Sequence, residues 1–306
     1  MNCTAKKINV KSSDGKHTLA GIAYIPSGEV KGLFHIVHGM TEHIGRYEPL
    51  MSAAAERGYV CFGYDNLGHG KTADNDSELG FIAHKNGWQY LVDDTFYFQQ
   101  YMQKLYPDKP LYIFGHSMGS FIVRVAALKY GNTYKKLIIC GTGGPNPASD
   151  LGILIINIIK GLKNEKYISV FVDKIAFGAY NKRFDKSSKY NWLTKDTEII
   201  KKYSADKFCT FKFTVSAMKD LVLLQKKANV KGWFENIRKN LPILLISGSD
   251  DPVGNYGKGV NEVYKKLKNS GVKNVSIKLY ENCRHEILND TCKAQVTEDI
   301  FEFLEK

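Results

Sequence analysis

Ser117 stands at the centre of Gly115-His116-Ser117-Met118-Gly119, between the apolar run Leu111–Phe114 and a second apolar run, Phe121–Leu128. A serine hydroxyl is a poor nucleophile until a neighbouring base takes its proton, and that base must itself be held in orientation. Seven of the eight histidines precede Ser117, and His285 alone follows it. Where the nucleophile rides on a strand-to-helix turn, the chain order is serine, acid, histidine. His285 is therefore the candidate base. The acid is expected after the strand Ile243–Ser247, where Gly248-Ser249-Asp250-Asp251-Pro252 offers two carboxylates. Asp251 is favoured, because a residue before proline is held extended and can be aimed at a fixed target. Asp250 is the alternative, better suited to bonding nearby turn N–H groups.

An oxyanion formed on attack by Ser117 needs two backbone N–H donors. Met118, next to the nucleophile, offers one, and Met40 in His38-Gly39-Met40 offers the other. Such a donor contributes about 3 kcal/mol in the transition state. The two glycines flanking Ser117 are expected because a Cβ at Gly115 or Gly119 would collide with neighbouring chain in so tight a turn. Other polar groups carry less. His35, His38 and His43 show no metal-like spacing, and no carboxylate or cysteine completes a set with them. Gly68-His69-Gly70 is too short for a nucleotide fingerprint. No metal and no cofactor are expected.

The elements that must position these groups can be read from apolar periodicity. Lys7–Val10 and Leu19–Ile25 read as an antiparallel pair. Leu33–Val37, Tyr59–Tyr64, the run before Ser117, Leu137–Cys140, Ile243–Ser247 and Val275–Tyr280 read as further strands. Helical spacing runs through Tyr47–Arg57, Trp88–Tyr106, the stretch after Ser117 and Val296–Leu304. Strands alternating with helices imply an α/β fold with a mainly parallel sheet covered on both faces. Between about Pro145 and Thr210 that alternation gives way to helical runs at Leu151–Ile159, Val170–Tyr180 and Asp196–Tyr203. The expected organisation is a core from residues 1–144 and 211–306, with 145–210 inserted as a helical cap over the sheet edge where such folds hold ligands.

The chain has 306 residues, 43% hydrophobic and 24% charged, which suits a soluble globular protein with a full core. The N-terminal lysines are not followed by an apolar stretch, so no secretory signal is expected, and no apolar run is long enough to span a membrane. Six scattered cysteines without a C-x-x-C pair fit reduced thiols in a cytoplasmic protein. The net charge of +12 is spread over many helices and forms no aromatic-interleaved patch, which argues against nucleic acid. Attraction to anionic lipid is the weaker use of that charge. Oligomeric state is not legible.

Gly115-His116-Ser117-Met118-Gly119, His38-Gly39-Met40-Thr41-Glu42-His43 with Gly45-Arg46-Tyr47, Tyr64–Gly70, the Asp251-Pro252-Val253 turn and Arg284-His285-Glu286-Ile287 together resemble the monoglyceride lipase/lysophospholipase-like branch of the α/β-hydrolases, often catalogued with serine aminopeptidases. The resemblance covers nearly the whole chain. It implies the α/β-hydrolase fold, Ser117, Asp251 and His285 as the triad, and Met40 and Met118 as oxyanion donors. Thr41 stands where the family usually has glycine, and Ser120 where a third glycine is common. The expected activity is hydrolysis of single-chain acyl esters, monoacylglycerol or lysophospholipid, through an acyl-enzyme. The alternatives are a serine aminopeptidase of the same fold and a catalytically silent binder. Leu151–Ile159, with Leu151, Ile155 and Ile159 as substrate contacts, would line the acyl channel or lie buried as a core helix. Lys160, Lys163 and Lys166 beside it would allow transient contact of the cap with a membrane surface.

Overall fold

The computed structural model describes residues 3–306. Its elements run β1 (Cys3–Lys11), β2 (Thr18–Pro26), β3 (Gly32–Val37), α1 (Glu48–Glu56), β4 (Tyr59–Tyr64), α2 (Gly87–Leu105), β5 (Leu111–His116), α3 (Met118–Tyr130) and β6 (Tyr134–Cys140). There follow α4 (Ser149–Leu162), α5 (Val170–Phe177), α6 (Thr197–Ala205), α7 (Val215–Asn229) and α8 (Lys231–Asn236). The chain closes with β7 (Ile243–Gly248), α9 (Lys258–Asn269), β8 (Val275–Tyr280) and α10 (Lys293–Glu305).

The strands form one sheet in the order β1-β2-β4-β3-β5-β6-β7-β8. β1 pairs with β2 and β2 with β4 antiparallel, and the remaining neighbours are parallel. The central strands β3, β4, β5 and β7 are buried along their whole length, as strands covered on both faces must be. Alternate residues feed two cores. Leu33, Ile113 and Leu245 join α2, α3, α7 and α9 on one face. Phe34, Phe114 and Ile246 join α1 and α10 on the other.

The segment 145–210 holds α4, α5 and α6 and no strand. Its entry, Gly141–Pro147, is fastened from below. The buried Arg124 guanidinium donates to Thr142 Oγ1 at 3.2 Å, to the carbonyl of Gly143 and to Asn229 Oδ1 at 3.0 Å. It also stacks over Trp233, 4.6 Å from the ring centre.

Two expectations need correction. α4 is neither buried all round nor wrapped around a channel. It packs on α7 through Ile156, while Leu151, Leu154, Ile158 and Leu162, spaced three or four residues apart, form a stripe that stays more than half exposed. The cysteines are not all free. The loop between β8 and α10 folds back so that Cys283 and Cys292 come within 6.6 Å, Cα to Cα, and are joined by a disulfide that brackets His285. Sequence spacing could not reveal that return. No helix is long and apolar enough to cross a membrane among the described residues.

The junction of β5 and α3 leaves no room for side chains at its two glycines. A Cβ on Gly115 would lie 2.3 Å from the carbonyl oxygen of Gly119, and one on Gly119 would lie 2.1 Å from that of Val37. Both obstacles are backbone, which cannot rotate away. Gly119→Ala is expected to cost ~3 kcal/mol or more of stability, a backbone clash being one of the few sources of so large an effect. Chemical denaturation of purified protein measures it, and a loss below ~1 kcal/mol would contradict the clash.

Candidate functional site

Ser117 bridges β5 and α3 with φ 53° and ψ −118°, a backbone conformation that a non-glycine residue adopts only under constraint. Its N–H donates to the Cys140 carbonyl at 3.0 Å, which ties the turn to β6. The residue opens into a cavity of about 790 Å³. Met40, Met118 and His285 also border that cavity. As the first residue of α3, Met118 has no acceptor for its N–H inside the helix. Among the described residues, neither its N–H nor that of Met40 donates to another backbone group outside helices and strands.

His285 Nδ1 donates to Asp251 Oδ1 at 3.0 Å, and both residues are buried. Asp251 also accepts from the Val253 N–H at 2.8 Å and from Ser247 Oγ at 3.1 Å. Burial alone would push its carboxyl up. The His285 imidazole and these donors more than offset that, leaving the pKa below the usual carboxylate range. Asp250 does not reach His285. Its N–H donates to the Cys283 carbonyl at 2.9 Å, and its carboxylate faces Ser249. Of the two carboxylates weighed from the sequence, the structure brings Asp251 to the histidine.

The cavity walls differ from those expected. Leu151, Ile155 and Ile159 do not border it, because α4 lies against α7. Its apolar lining comes from α5, the α6–α7 connection and α7, with Phe177, Phe211, Met218, Leu221 and Val222, together with Phe121 of α3. Val170 at the start of α5 lines the cavity and is also 65% exposed, which marks the mouth. Trp192 covers His285, ring centres 5.1 Å apart. The segment carrying Trp192 is pinned there by the Glu286 N–H donating to the Leu193 carbonyl at 2.7 Å, and by Arg284 donating to the carbonyls of Asn191 and Thr194.

A buried charge network to which the sequence gave no role reaches the cavity wall through Glu42, His116 and Glu286. Glu42 Oε1 accepts from His116 Nδ1 at 2.9 Å, from the Tyr47 hydroxyl at 3.0 Å and from the Gly39 N–H at 2.5 Å. Arg46 donates to Glu42 at 3.2 Å and to both oxygens of Glu286 at 2.7 and 2.6 Å. His116 Nε2 donates to the His285 carbonyl at 3.3 Å. Only the Glu42/Arg46 spacing, four residues apart, was visible in the sequence. Burial disfavours charge on both His116 and Glu42, but their mutual attraction prevails. The imidazole pKa is raised and the carboxyl pKa held well below its usual value.

That pair makes stability pH-dependent. The His116 contribution is full below its ordinary pKa of 6.5 and is lost as pH rises through the raised, folded-state value. The Glu42 contribution is present above its ordinary pKa of 4.5 and is lost as pH falls through the depressed one. Glu42→Gln should therefore cost most between pH 4.5 and 6.5. The expected loss is about 3 kcal/mol, typical of breaking a buried pair. Urea denaturation of variant and wild type across pH measures the gap, which should narrow above neutrality. A constant gap would contradict the pairing.

Residues 28–292 match the family model described as serine aminopeptidase, S33. The chain is 27% identical to the monoglyceride lipase of Rattus norvegicus over 263 residues, 85% of this chain and 77% of that one. It is 22% identical to the monoacylglycerol lipase of Mycolicibacterium smegmatis over 303 residues, 95% of this chain and 97% of that one. Among solved structures, a thermostable carboxyl esterase from Bacillus coagulans, in complex with glycerol, superposes with a TM-score of 0.92 at 30% identity, covering 99% of this chain and 98% of that one. With the eight-stranded sheet and the Ser117 turn, these matches place the chain in the serine aminopeptidase S33 family, as an α/β-hydrolase of its monoglyceride lipase-like branch.

Proposed function

We propose that this α/β-hydrolase is a serine carboxylester hydrolase that cleaves single-chain acyl esters, monoacylglycerol or lysophospholipid, through an acyl-enzyme. The observation that carries the reading is the placement of Ser117 and His285 on the wall of one cavity, with Asp251 bonded to His285 at 3.0 Å. His285 Nε2 takes the Ser117 proton as Oγ attacks the ester carbonyl. The oxyanion is held by the N–H groups of Met40 and Met118. Collapse expels the alcohol, which receives the proton from His285. Water, activated by the same imidazole, then releases the fatty acid. Asp251 keeps the base in the right tautomer and stabilises its charged form.

The substrate class rests on the cavity wall. Phe177, Leu221 and Val222 suit an acyl chain, each buried methylene of which adds up to about 0.8 kcal/mol. An aminopeptidase would need a free carboxylate for the substrate ammonium. At the wall, Glu42 and Glu286 are taken up by Arg46, Asp173 is paired with Lys212 at 3.2 Å, and Glu262 with Lys266 at 2.9 Å. Glu165 and Asp185 do not border the cavity. In this reading α4, α5 and α6 act as the cap. The exposed stripe Leu151, Leu154, Ile158 and Leu162, with Phe171 and Ile175 of α5, is its membrane-facing side.

A panel of monoacylglycerols, lysophospholipids, short p-nitrophenyl esters and aminoacyl arylamides, with Ser117→Ala as blank, tests the reaction. Long-chain monoesters should be preferred, and preference for the arylamides would overturn the reading. Asp251→Asn should lower kcat by about 10⁴. Asp250→Asn should change it by less than about tenfold, since its carboxylate does not touch the base. The reverse ranking would show that the wrong acid was chosen.

The membrane-facing role has its own expected outcome. Leu154→Glu combined with Ile158→Glu should slow hydrolysis of vesicle-borne monoacylglycerol by roughly tenfold or more, each buried apolar side chain contributing to surface binding. A dissolved acetate ester should be hydrolysed at an unchanged rate. Equal loss on both substrates would assign the stripe to stability instead.

A further inference from the structure

His43 was set aside in the sequence for want of a carboxylate or cysteine to complete a ligand set. Folding supplies both. His43 ends the loop that carries Met40, and its Nε2 lies 2.9 Å from Asp206 Oδ2. Asp206 follows α6, 163 residues later. Cys209 belongs to the same turn, its N–H donating to the Asp206 carbonyl at 3.0 Å. One nitrogen of His43, one carboxylate oxygen of Asp206 and the Cys209 sulfur all lie within 4.8 Å of one another.

The chemistry and the surroundings of this cluster favour a soft divalent cation. Imidazole, thiolate and carboxylate are the zinc donor types, and three of them with one open position leave room for water. Zinc at about 2.0–2.3 Å from each donor would space them roughly 3–4 Å apart. Small side-chain rotations from the present positions close that gap. The cluster has a wet side and a dry side. The His43 and Asp206 side chains are 22% and 32% exposed, which gives an ion access, whereas Cys209 is buried at 2%. Around the sulfur stand the carboxylates of Asp206, Glu42 and Glu286 against the single guanidinium of Arg46.

We propose that His43, Asp206 and Cys209 form a zinc-binding site that joins the loop carrying Met40 to the α6–α7 connection. On binding, Zn²⁺ replaces the thiol proton of Cys209, which leaves to solvent. His43 shifts its ring proton to Nδ1 by exchange with solvent and binds through the freed Nε2 lone pair, giving up its hydrogen bond to Asp206 as that carboxylate turns to the metal. A water completes the tetrahedron. The site borders the Ser117 cavity through Cys209 but supplies no group to the reaction assigned to Ser117, and its test uses no substrate.

Chelator-stripped full-length protein is titrated with Zn²⁺, and bound metal is counted after gel filtration. In parallel, Cd²⁺ is added and the ultraviolet thiolate-to-cadmium charge-transfer band is followed. The expected result is a single tight ion per chain and a Cd²⁺ band that vanishes in Cys209→Ser. His43→Gln and Asp206→Asn should each weaken zinc binding by roughly tenfold or more, the usual cost of disturbing a ligand shell. These two partly exposed positions keep the test decisive if the buried Cys209 variant does not fold. The proposal is overturned if no zinc is retained, or if zinc binds without a thiolate band. It is also overturned if binding survives His43→Gln and is lost in His285→Ala, or in His17→Gln, which would place the ion on His285 or on the surface group of His17, Asp74 and Glu78.

Discussion

The site hangs from one close approach of chain to chain, where β3 meets the start of α3. Gly119 rests against the Val37 carbonyl with no room for a side chain, and that contact lets the backbone reverse at Ser117 with a positive φ of 53°. Three consequences follow from the one contact. The Ser117 side chain is lifted off the sheet into the cavity. The first N–H of α3 is left without a helical partner beside it. The end of β3, and with it Met40, is brought alongside, so both proposed oxyanion donors come from the two elements that touch.

Around that turn, position is fixed by charge rather than by apolar packing. Glu42, Arg46 and Glu286 would each be costly to bury alone. Together they satisfy one another across 240 residues of sequence, and His116 extends the network to the His285 carbonyl. Loss of any member leaves an uncompensated charge in a dry place, which makes the arrangement all-or-none. The loop after β3 and the loop after β8 are therefore held in one relation. The disulfide between Cys283 and Cys292 closes the second loop on itself. His285 is thus oriented from two sides, by Asp251 at its ring and by the network at its backbone.

What the sequence disclosed was local. Tyr59–Tyr64 and Val275–Tyr280 coincide with their strands because Gly58 and Asp65 bound the first and Asn274 and Glu281 the second, which leaves little freedom in placing the ends. Asp251 could be separated from Asp250 by Pro252 alone, since a stiff turn acts within two residues. The features that escaped depend on distant partners. α4 has the same apolar residues whether it lines a channel, fills a core or lies half exposed on α7, so its composition could not choose. His43 met Asp206 and Cys209 only because α6 ends over the loop after β3. The Cys283–Cys292 bond needed the return of a loop whose path no spacing encodes.

Thr41 joins the local and the distant. It follows Met40 with φ 51°, in the left-handed region that favours glycine. A β-branched side chain there costs on the order of 1–2 kcal/mol. The Tyr203 hydroxyl of α6 donates to the Thr41 carbonyl at 2.8 Å and accepts from Thr41 Oγ1 at 3.0 Å. Net hydrogen bonds of about 1 kcal/mol each are enough to offset the strain. Glycine at this position would hold the conformation unaided and could offer Tyr203 only its carbonyl. Threonine transfers part of that task to α6. The peptide next to a proposed oxyanion donor then keeps its orientation only while α6 stays in place, so the position of α6 and the geometry of that peptide are coupled in this chain by a side chain that the turn alone would not tolerate.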